Sequence, residues 1–243
     1  ESPMKPLKAL LISAILALPL PCLALTVAQT VGQVKGTNPS SAFTASVASG
    51  TVVVAIIECG DVGGSPISTA VADNVSSGAY TLLGQQYDSV SHIQNDTYWK
   101  IANATGTPTV TLTAPSGYCS LSLLQVIGGT CTPTSDSAIA NTAAGSTATV
   151  AINATSTQNN EIMIANAFSL GGYFSATPTG WSANLAGGTY GGWDAIEASS
   201  GTANNLSATL SAAGDWAVIL GGIYDAAAAP AFHSGGFALS PSN

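Results

Sequence analysis

The sequence predicts an all-β protein with the architecture of an antiparallel β-sandwich or jelly roll. Short runs rich in Val, Ile, Thr, Tyr and Trp follow one another from Thr26 onward, and Gly, Pro, Asn and Ser separate them. Apolar residues often recur at every second position, as at Val110 and Leu112. No part of the chain after the N-terminal leader shows a capped helical stripe, so strands at this spacing favour a sandwich or a jelly roll.

The predicted strands are the runs in which β-branched and aromatic residues dominate. In the first half of the chain they cover residues 51–59, 80–87, 97–103, 108–114 and 118–127. In the second half they cover residues 146–155, 161–170, 191–199, 205–212 and 215–224.

The two halves are similar in sequence. "TYWKIANATGTPTVTLTAPSGYCSLSLLQVIGG" aligns with "GWDAIEASSGTANNLSATLSAAGDWAVILGGIY", which places Gly117 over Gly214. Four or five strands cannot easily bury a face alone, so we expect the halves 49–129 and 146–225 to pack as a single sandwich over 49–225. Two separate small sandwiches are the alternative, because halves of about 100 residues are a common domain size.

The N-terminus has the pattern of a secretory signal peptide. Lys5 and Lys8 precede the uncharged apolar stretch Ala9–Leu20, and a small-residue cleavage site follows at Ala24. We therefore predict a short hydrophobic leader helix within residues 1–24, too short to span a bilayer. An uncleaved anchor or a buried arm is the alternative.

Two further segments fall outside the predicted sandwich. Residues 25–48 are interpreted as an N-terminal segment. Residues 226–243 are rich in Ala, Gly, Ser and Pro, with scattered apolar side chains. They are interpreted as a disordered tail or as an extended arm that docks on a neighbouring subunit.

The charge of the chain excludes some classes of partner. Only 7% of the residues are charged, there is no Arg, and the net charge is −8. A nucleic-acid-binding protein needs basic residues that neutralise phosphates, so nucleic acid is not expected as a partner. Anionic membrane surfaces are disfavoured for the same reason, and no membrane span is expected once the leader is removed.

After cleavage of the leader, Cys59, Cys119 and Cys131 remain. Three is an odd number, so at most one intramolecular pair forms. Cys119 and Cys131 are separated by a short apolar run and a Gly-Gly turn, and we predict that they form the disulfide of an exported protein. Three buried, unpaired cysteines are the alternative.

Asp194 and Glu197 are the strongest candidates for catalysis. They flank a short apolar stretch beside Trp193, and a pair of carboxyl groups is what a glycoside hydrolase requires. Residues three apart on a strand point to opposite faces, however. The alignment of the halves also places Trp99 over Asp194, so the strand itself does not need an acid there.

Other residue types suggest ligand binding without catalysis. Trp99, Trp181 and Trp193 are candidates for stacking on sugar rings, with packing in the core as the alternative. His92 stands among turn formers without a nucleophile motif and is interpreted as a solvated loop histidine.

No cofactor is expected, with calcium as the one possibility considered. Loop oxygens of the type that calcium accepts occur at four aspartates, but no twelve-residue loop pattern organises them. The calcium candidates are Asp61, Asp73, Asp88 and Asp96.

Several motifs carry a resemblance to a known group of domains. They are the hydrophobic strand "TVVVAIIECGD", the hairpin "ADNVSSGAYTLLG", the strand "TYWKIAN" and the strand "GTPTVTLT". Together they resemble a loosely defined group of exported bacterial and phage jelly-roll domains, concanavalin-like sandwiches without an assigned activity. The resemblance covers about residues 49–225, and it implies a sandwich fold, an extracellular or virion setting and a non-enzymatic role.

The sequence therefore predicts an exported, non-catalytic β-sandwich for surface display or assembly on a cell surface, an appendage or a virus particle. Its expected partners are copies of itself or another surface or virion protein. A carbohydrate-binding or adhesion module is the first alternative, with glycans as partners. A glycoside hydrolase that uses Asp194 and Glu197 is the second.

Overall fold

The computed structural model describes residues 25–60, 62–128, 132–185, 189–197 and 200–226, apart from the side chains of 138–140 and 197. This part of the chain is all-β, and its strands pair antiparallel throughout. It contains no helix that is long and apolar enough to cross a membrane. The predicted leader (1–24), nearly all of the predicted C-terminal tail and Cys131 lie outside the described residues.

The described residues form fifteen strands, named in chain order. The first eight are β1 (Thr26–Gly36), β2 (Ser40–Ala42), β3 (Val52–Gly60), β4 (Ala70–Asp73), β5 (Thr81–Asp88), β6 (Ile93–Ile101), β7 (Thr109–Thr113) and β8 (Tyr118–Ile127). The other seven are β9 (Thr132–Gly145), β10 (Thr149–Thr155), β11 (Glu161–Ser169), β12 (Ser182–Leu185), β13 (Tyr190–Glu197), β14 (Ala203–Thr209) and β15 (Trp216–Ala226).

The strands form two sandwiches, each of one large and one small sheet. In the first sandwich a five-stranded sheet of order β1-β8-β3-β6-β5 packs on a three-stranded sheet of order β2-β7-β4. In the second sandwich a five-stranded sheet of order β12-β13-β11-β15-β9 packs on a two-stranded sheet of β10 and β14. Each sandwich has its own apolar core, which includes Leu112 and Leu121 in the first and Met163 and Leu206 in the second.

A third apolar layer lies between the two five-stranded sheets, and we call it the seam. Along β3, Val53 faces the core of the first sandwich, whereas Val54 and Ile56 face the seam. Ile162 and Ile164 of β11 meet them from the second sandwich. The single sandwich over 49–225 that we expected is therefore wrong: each half has a core of its own, and the central strands bury their other face in the seam.

The sheets also begin earlier than the sequence analysis placed them. Residues 25–48 were interpreted as a separate N-terminal segment, but β1 pairs with β8 and β2 pairs with β7 within the first sandwich. Side chains along β1 alternate between exposed and half-buried positions. The strand therefore lacks the run of apolar residues by which the other strands were identified.

The seam is narrow where β5 crosses β15. A Cβ atom added to Gly84 would lie 2.6 Å from Ile219 Cγ2, and one added to Gly221 would lie 2.6 Å from Leu83 Cγ. Each glycine thus leaves room for an apolar side chain of the facing strand. The two sandwiches approach closely because neither glycine carries a side chain.

Two buried asparagines cross the seam in opposite directions. Asn95 of β6 donates its amide to the carbonyls of Asn166 (3.2 Å) and Ala217 (2.9 Å) in the second sandwich. Asn166 of β11 donates in return to the carbonyls of Ile57 and Asp96, both at 3.2 Å. Both side chains are fully buried. These directional bonds fix how one sheet lies over the other. Apolar contacts alone would fix that position only weakly.

We expect Asn166→Ala to lower the free energy of unfolding by about 2 kcal/mol, because it removes buried hydrogen bonds that water cannot replace. Asn141→Ala is the matched control, since the Asn141 amide donates to the Asn153 carbonyl at 2.7 Å but at an exposed position. The control should change stability by less than about 0.5 kcal/mol. Urea unfolding curves measure both, and equal effects would contradict a role for the seam bonds.

Candidate functional site

The structure places the two candidate catalytic acids three residues apart on one strand. Asp194 and Glu197 both lie on β13, which pairs with β11 without a break in register. Asp194 is buried, and its Oδ1 accepts a hydrogen bond from Asn184 Nδ2 at 2.8 Å. Burial raises the pKa of Asp194, and the Asn184 bond opposes that shift. The Glu197 side chain lies outside the described residues.

The candidate aromatic platform is wrong. Trp193 is 1% exposed and Trp181 is 8% exposed, and both belong to the core of the second sandwich. Trp193 also makes an edge-to-face contact with Phe174, with ring centroids 5.2 Å apart. Trp99 packs half-buried against the seam. Trp181 and Trp193 therefore fill the interior, which is the alternative that the sequence analysis gave to a sugar-stacking surface.

Three of the four calcium candidates lie among the described residues, and each binds a different set of protein groups. Asp73 forms a buried ion pair with Lys100, with Nζ and Oδ2 2.6 Å apart. Asp88 caps a turn by accepting from the Val90 amide at 3.1 Å and from the Ser91 hydroxyl at 2.5 Å.

Asp96 is fully buried in the first sandwich. Its carboxylate accepts bonds from Thr69, Gln85 and Gln94. Burial raises the pKa of Asp96, and these three bonds oppose the shift. Asp61 lies outside the described residues, within which no three His, Cys, Asp or Glu side chains form a group that could hold a metal.

The disulfide joins Cys59 to Cys119, which corrects the predicted Cys119–Cys131 pair. Cys59 at the end of β3 lies directly opposite Cys119 at the start of β8, with Cα atoms 4.0 Å apart. Both side chains are fully buried in the core of the first sandwich. The prediction failed because the pairing of β3 with β8 brings together two cysteines that are sixty positions apart in the sequence.

A cavity of about 400 Å³ opens at one end of the seam, beside the disulfide. Both sandwiches contribute to its walls, and we call it the seam cavity. Its polar side chains include Lys35, Glu58, Ser91, His92, Tyr118 and Ser120 from the first sandwich. Its apolar side chains include Phe168 and Leu170 from the second sandwich, beside Tyr190.

Glu58 is the most unusual group in the seam cavity. Its side chain is 1% exposed, although it lies in a strand that is otherwise apolar. The Ser120 hydroxyl donates to Glu58 Oε2, and the Gln33 side chain is a second hydrogen-bonding neighbour of the carboxyl group. Burial raises the pKa of Glu58 to about 7, against the Ser120 and Gln33 bonds and the charge of Lys35, which favour the carboxylate.

Aromatic rings and a lysine also line the cavity. Phe168 and Tyr190 stack with ring centroids 5.2 Å apart. Lys35 Nζ lies 4.3 Å from the centroid of the Tyr190 ring, within the range of a cation–π contact. Tyr118 is 60% exposed at the cavity, so its ring is accessible from solvent.

His92 lines the cavity, which revises its interpretation as a solvated loop residue. It lies in the turn between β5 and β6 and has a φ of 56°, a conformation that few residues other than glycine adopt. The His92 carbonyl accepts a hydrogen bond from the Val62 amide at 3.1 Å. This bond holds the turn against the loop that follows β3.

Fold and site together define an all-β, disulfide-bonded sandwich protein with a mixed polar and aromatic cavity at its seam. Among the described residues, the cavity brings together one carboxyl group, one ammonium group and two stacked rings. Comparison of the chain with protein-family models, with curated protein sequences and with solved structures gives no match.

Proposed function

We propose that this chain is an exported, non-catalytic β-sandwich protein that serves surface display or assembly on a cell surface, an appendage or a virus particle. The buried Cys59–Cys119 disulfide carries the proposal. Stable structural disulfides form in oxidising compartments and are rare in the cytosol. The apolar stretch within residues 1–24 supports the same route of export.

We infer that both sandwiches follow one jelly-roll plan. In the first sandwich, β1, β8, β3 and β6 are neighbours in one sheet and β2, β7 and β4 are neighbours in the other, as in a jelly roll. In the second sandwich, β9, β15, β11 and β13 take the places of β1, β8, β3 and β6, and β10 and β14 take those of β2 and β7. No strand of the described residues takes the place of β4 there. The likeness of residues 49–129 to 146–225 supports duplication of one unit.

Assembly is supported by the ends of the large sheets. β1 and β9 are outermost strands of eleven and fourteen residues. An outermost strand offers backbone N–H and C=O groups to a further strand from another chain. Copies of this protein, or another surface or virion protein, are the partners that this arrangement favours.

The two alternatives have less support. A glycoside hydrolase built on Asp194 and Glu197 would need both carboxyl groups on one face of β13, and their spacing opposes that. A carbohydrate module built on Trp181 and Trp193 would need rings outside the core.

Immunogold labelling of cells that make the protein tests the proposal, together with thiol alkylation before lysis. We expect label on the outer surface or on released particles, with Cys59 and Cys119 protected from alkylation. Label confined to the cytosol, with alkylated cysteines, would overturn the proposal. Native mass spectrometry of the recovered protein then identifies self-association or a partner chain.

A further inference from the structure

We propose that the seam cavity is a binding site for a neutral, hydroxylated ring of the size of one sugar unit. The proposal goes beyond display or assembly and does not depend on it. It rests on the size of the cavity, on the hydroxyl and ammonium groups that line it, on the balance of charge and on the aromatic wall.

The size of the seam cavity suits a small ligand. Its volume of about 400 Å³ lies near the lower end of the roughly 300–1,000 Å³ typical of small-molecule sites. Two rigid sandwiches form the walls, and the disulfide at Cys119 and the turn at His92 fix the end of the first sandwich. The site therefore exists before a ligand arrives.

Hydrogen bonding favours a ligand with hydroxyl groups. The Ser91 hydroxyl lines the cavity and donates to Asp88, so its oxygen can still accept a bond from a ligand hydroxyl group. Lys35 Nζ and the Tyr118 hydroxyl line the same cavity and can donate to ligand oxygens. Because a hydroxyl group both donates and accepts, a polyol ring satisfies both kinds of protein group.

The charges in the cavity favour a neutral ligand. Lys35 would repel an ammonium group, and the carboxylate form of Glu58 would repel an anion. A neutral ring avoids both penalties. It can also lay its C–H face against the exposed ring of Tyr118, since aromatic faces pack well against apolar surface.

Titrations of the full chain with the methyl glycosides of glucose, galactose, mannose and N-acetylglucosamine test the inference, by saturation-transfer NMR and calorimetry. Ethylammonium and acetate serve as charged probes. We expect at least one glycoside to bind wild-type protein while neither charged probe does. Binding of a charged probe alone, or of none of the glycosides, would overturn the inference.

Variants locate the binding. Tyr118→Ala should weaken it about fivefold, the scale of one lost aromatic contact. Tyr173→Ala should leave it unchanged, because Tyr173 is 56% exposed and lies outside the cavity. Lys35→Met should weaken it about tenfold through loss of a charge-assisted bond to a ligand oxygen. Equal binding by wild type and Tyr118→Ala would overturn the inference even if Lys35→Met failed to fold, since Tyr118 is a surface residue.

Discussion

Replacement of both Cys59 and Cys119 by alanine should lower the free energy of unfolding by about 4 kcal/mol. The cross-link closes a loop of sixty residues, and the chain-entropy relation for a loop of this length gives that magnitude. The strand pairing of β3 with β8 extends well beyond the cysteines, from Val52 to Gly60. We therefore expect the variant to fold into the same sandwich with lower stability.

Urea unfolding of the oxidised wild type, the reduced wild type and the double variant measures the effect. The reduced protein and the variant should agree, because both lack the cross-link. Ser169→Ala is the matched control: Ser169 is fully buried at the end of β11, opposite Trp216 of β15, and forms no cross-link. A loss below about 1 kcal/mol in the double variant would contradict the expectation.

The central strands were predictable from sequence, but the number of layers was inferred wrongly. β3 is buried along eight of its nine residues, and β11 along all nine. Both are therefore runs of mostly apolar residues rather than alternating ones. Such runs are typical of strands that bury both faces, and they were evidence for a seam in addition to the two sandwich cores.

The half-exposed strands and the long-range pairings were less accessible to sequence reasoning. β1 contains Thr, Gln and Gly between its valines, so only its pairing with β8 identifies it as part of a sheet. The partner of Cys119 likewise depends on which distant strand lies beside β8. Neither follows from local propensity, because both are set by the order of strands in the sheet.

The candidate site was missed for a related reason. Glu58 is one acid in the run "TVVVAIIEC", and an acid inside a buried strand was the available signal. Its neighbours Lys35, Ser120 and Tyr190 come from three other strands, far apart along the chain. Asp194 and Glu197 attracted attention because they are only three positions apart in the sequence, although a regular strand directs residues at that spacing to opposite faces.

Glu58 should make the protein less stable as the pH rises from about 4.5 to about 7. The pKa of Glu58 is about 7 in the folded chain, against an ordinary value of 4.5. Between these values the folded state holds a proton that the unfolded state has released, so each pH unit costs about 1.4 kcal/mol. The loss of stability is complete above pH 7 and amounts to about 3 kcal/mol.

Glu58→Gln isolates this contribution. Glutamine keeps the shape of the side chain and does not ionise, so the variant should match wild type near pH 4.5. Near pH 8 it should be more stable than wild type by about 3 kcal/mol. Burial also raises the pKa values of Asp96 and Asp194. Both groups are present in wild type and in Glu58→Gln, so their contributions cancel when one curve of stability against pH is subtracted from the other.

The groups that face Glu58 decide how this result is interpreted. Lys35 comes from β1, His92 from the turn before β6, Tyr118 from β8 and Tyr190 from β13, and all four remain in the variant. Urea unfolding at pH 4.5, 6 and 8 gives the three points required. The outcome that would contradict this prediction is a difference in the free energy of unfolding between Glu58→Gln and wild type that stays constant from pH 4.5 to pH 8. Glu58 would then not titrate in this range, and its carboxyl group would not be the buried acid that the geometry of the seam cavity implies.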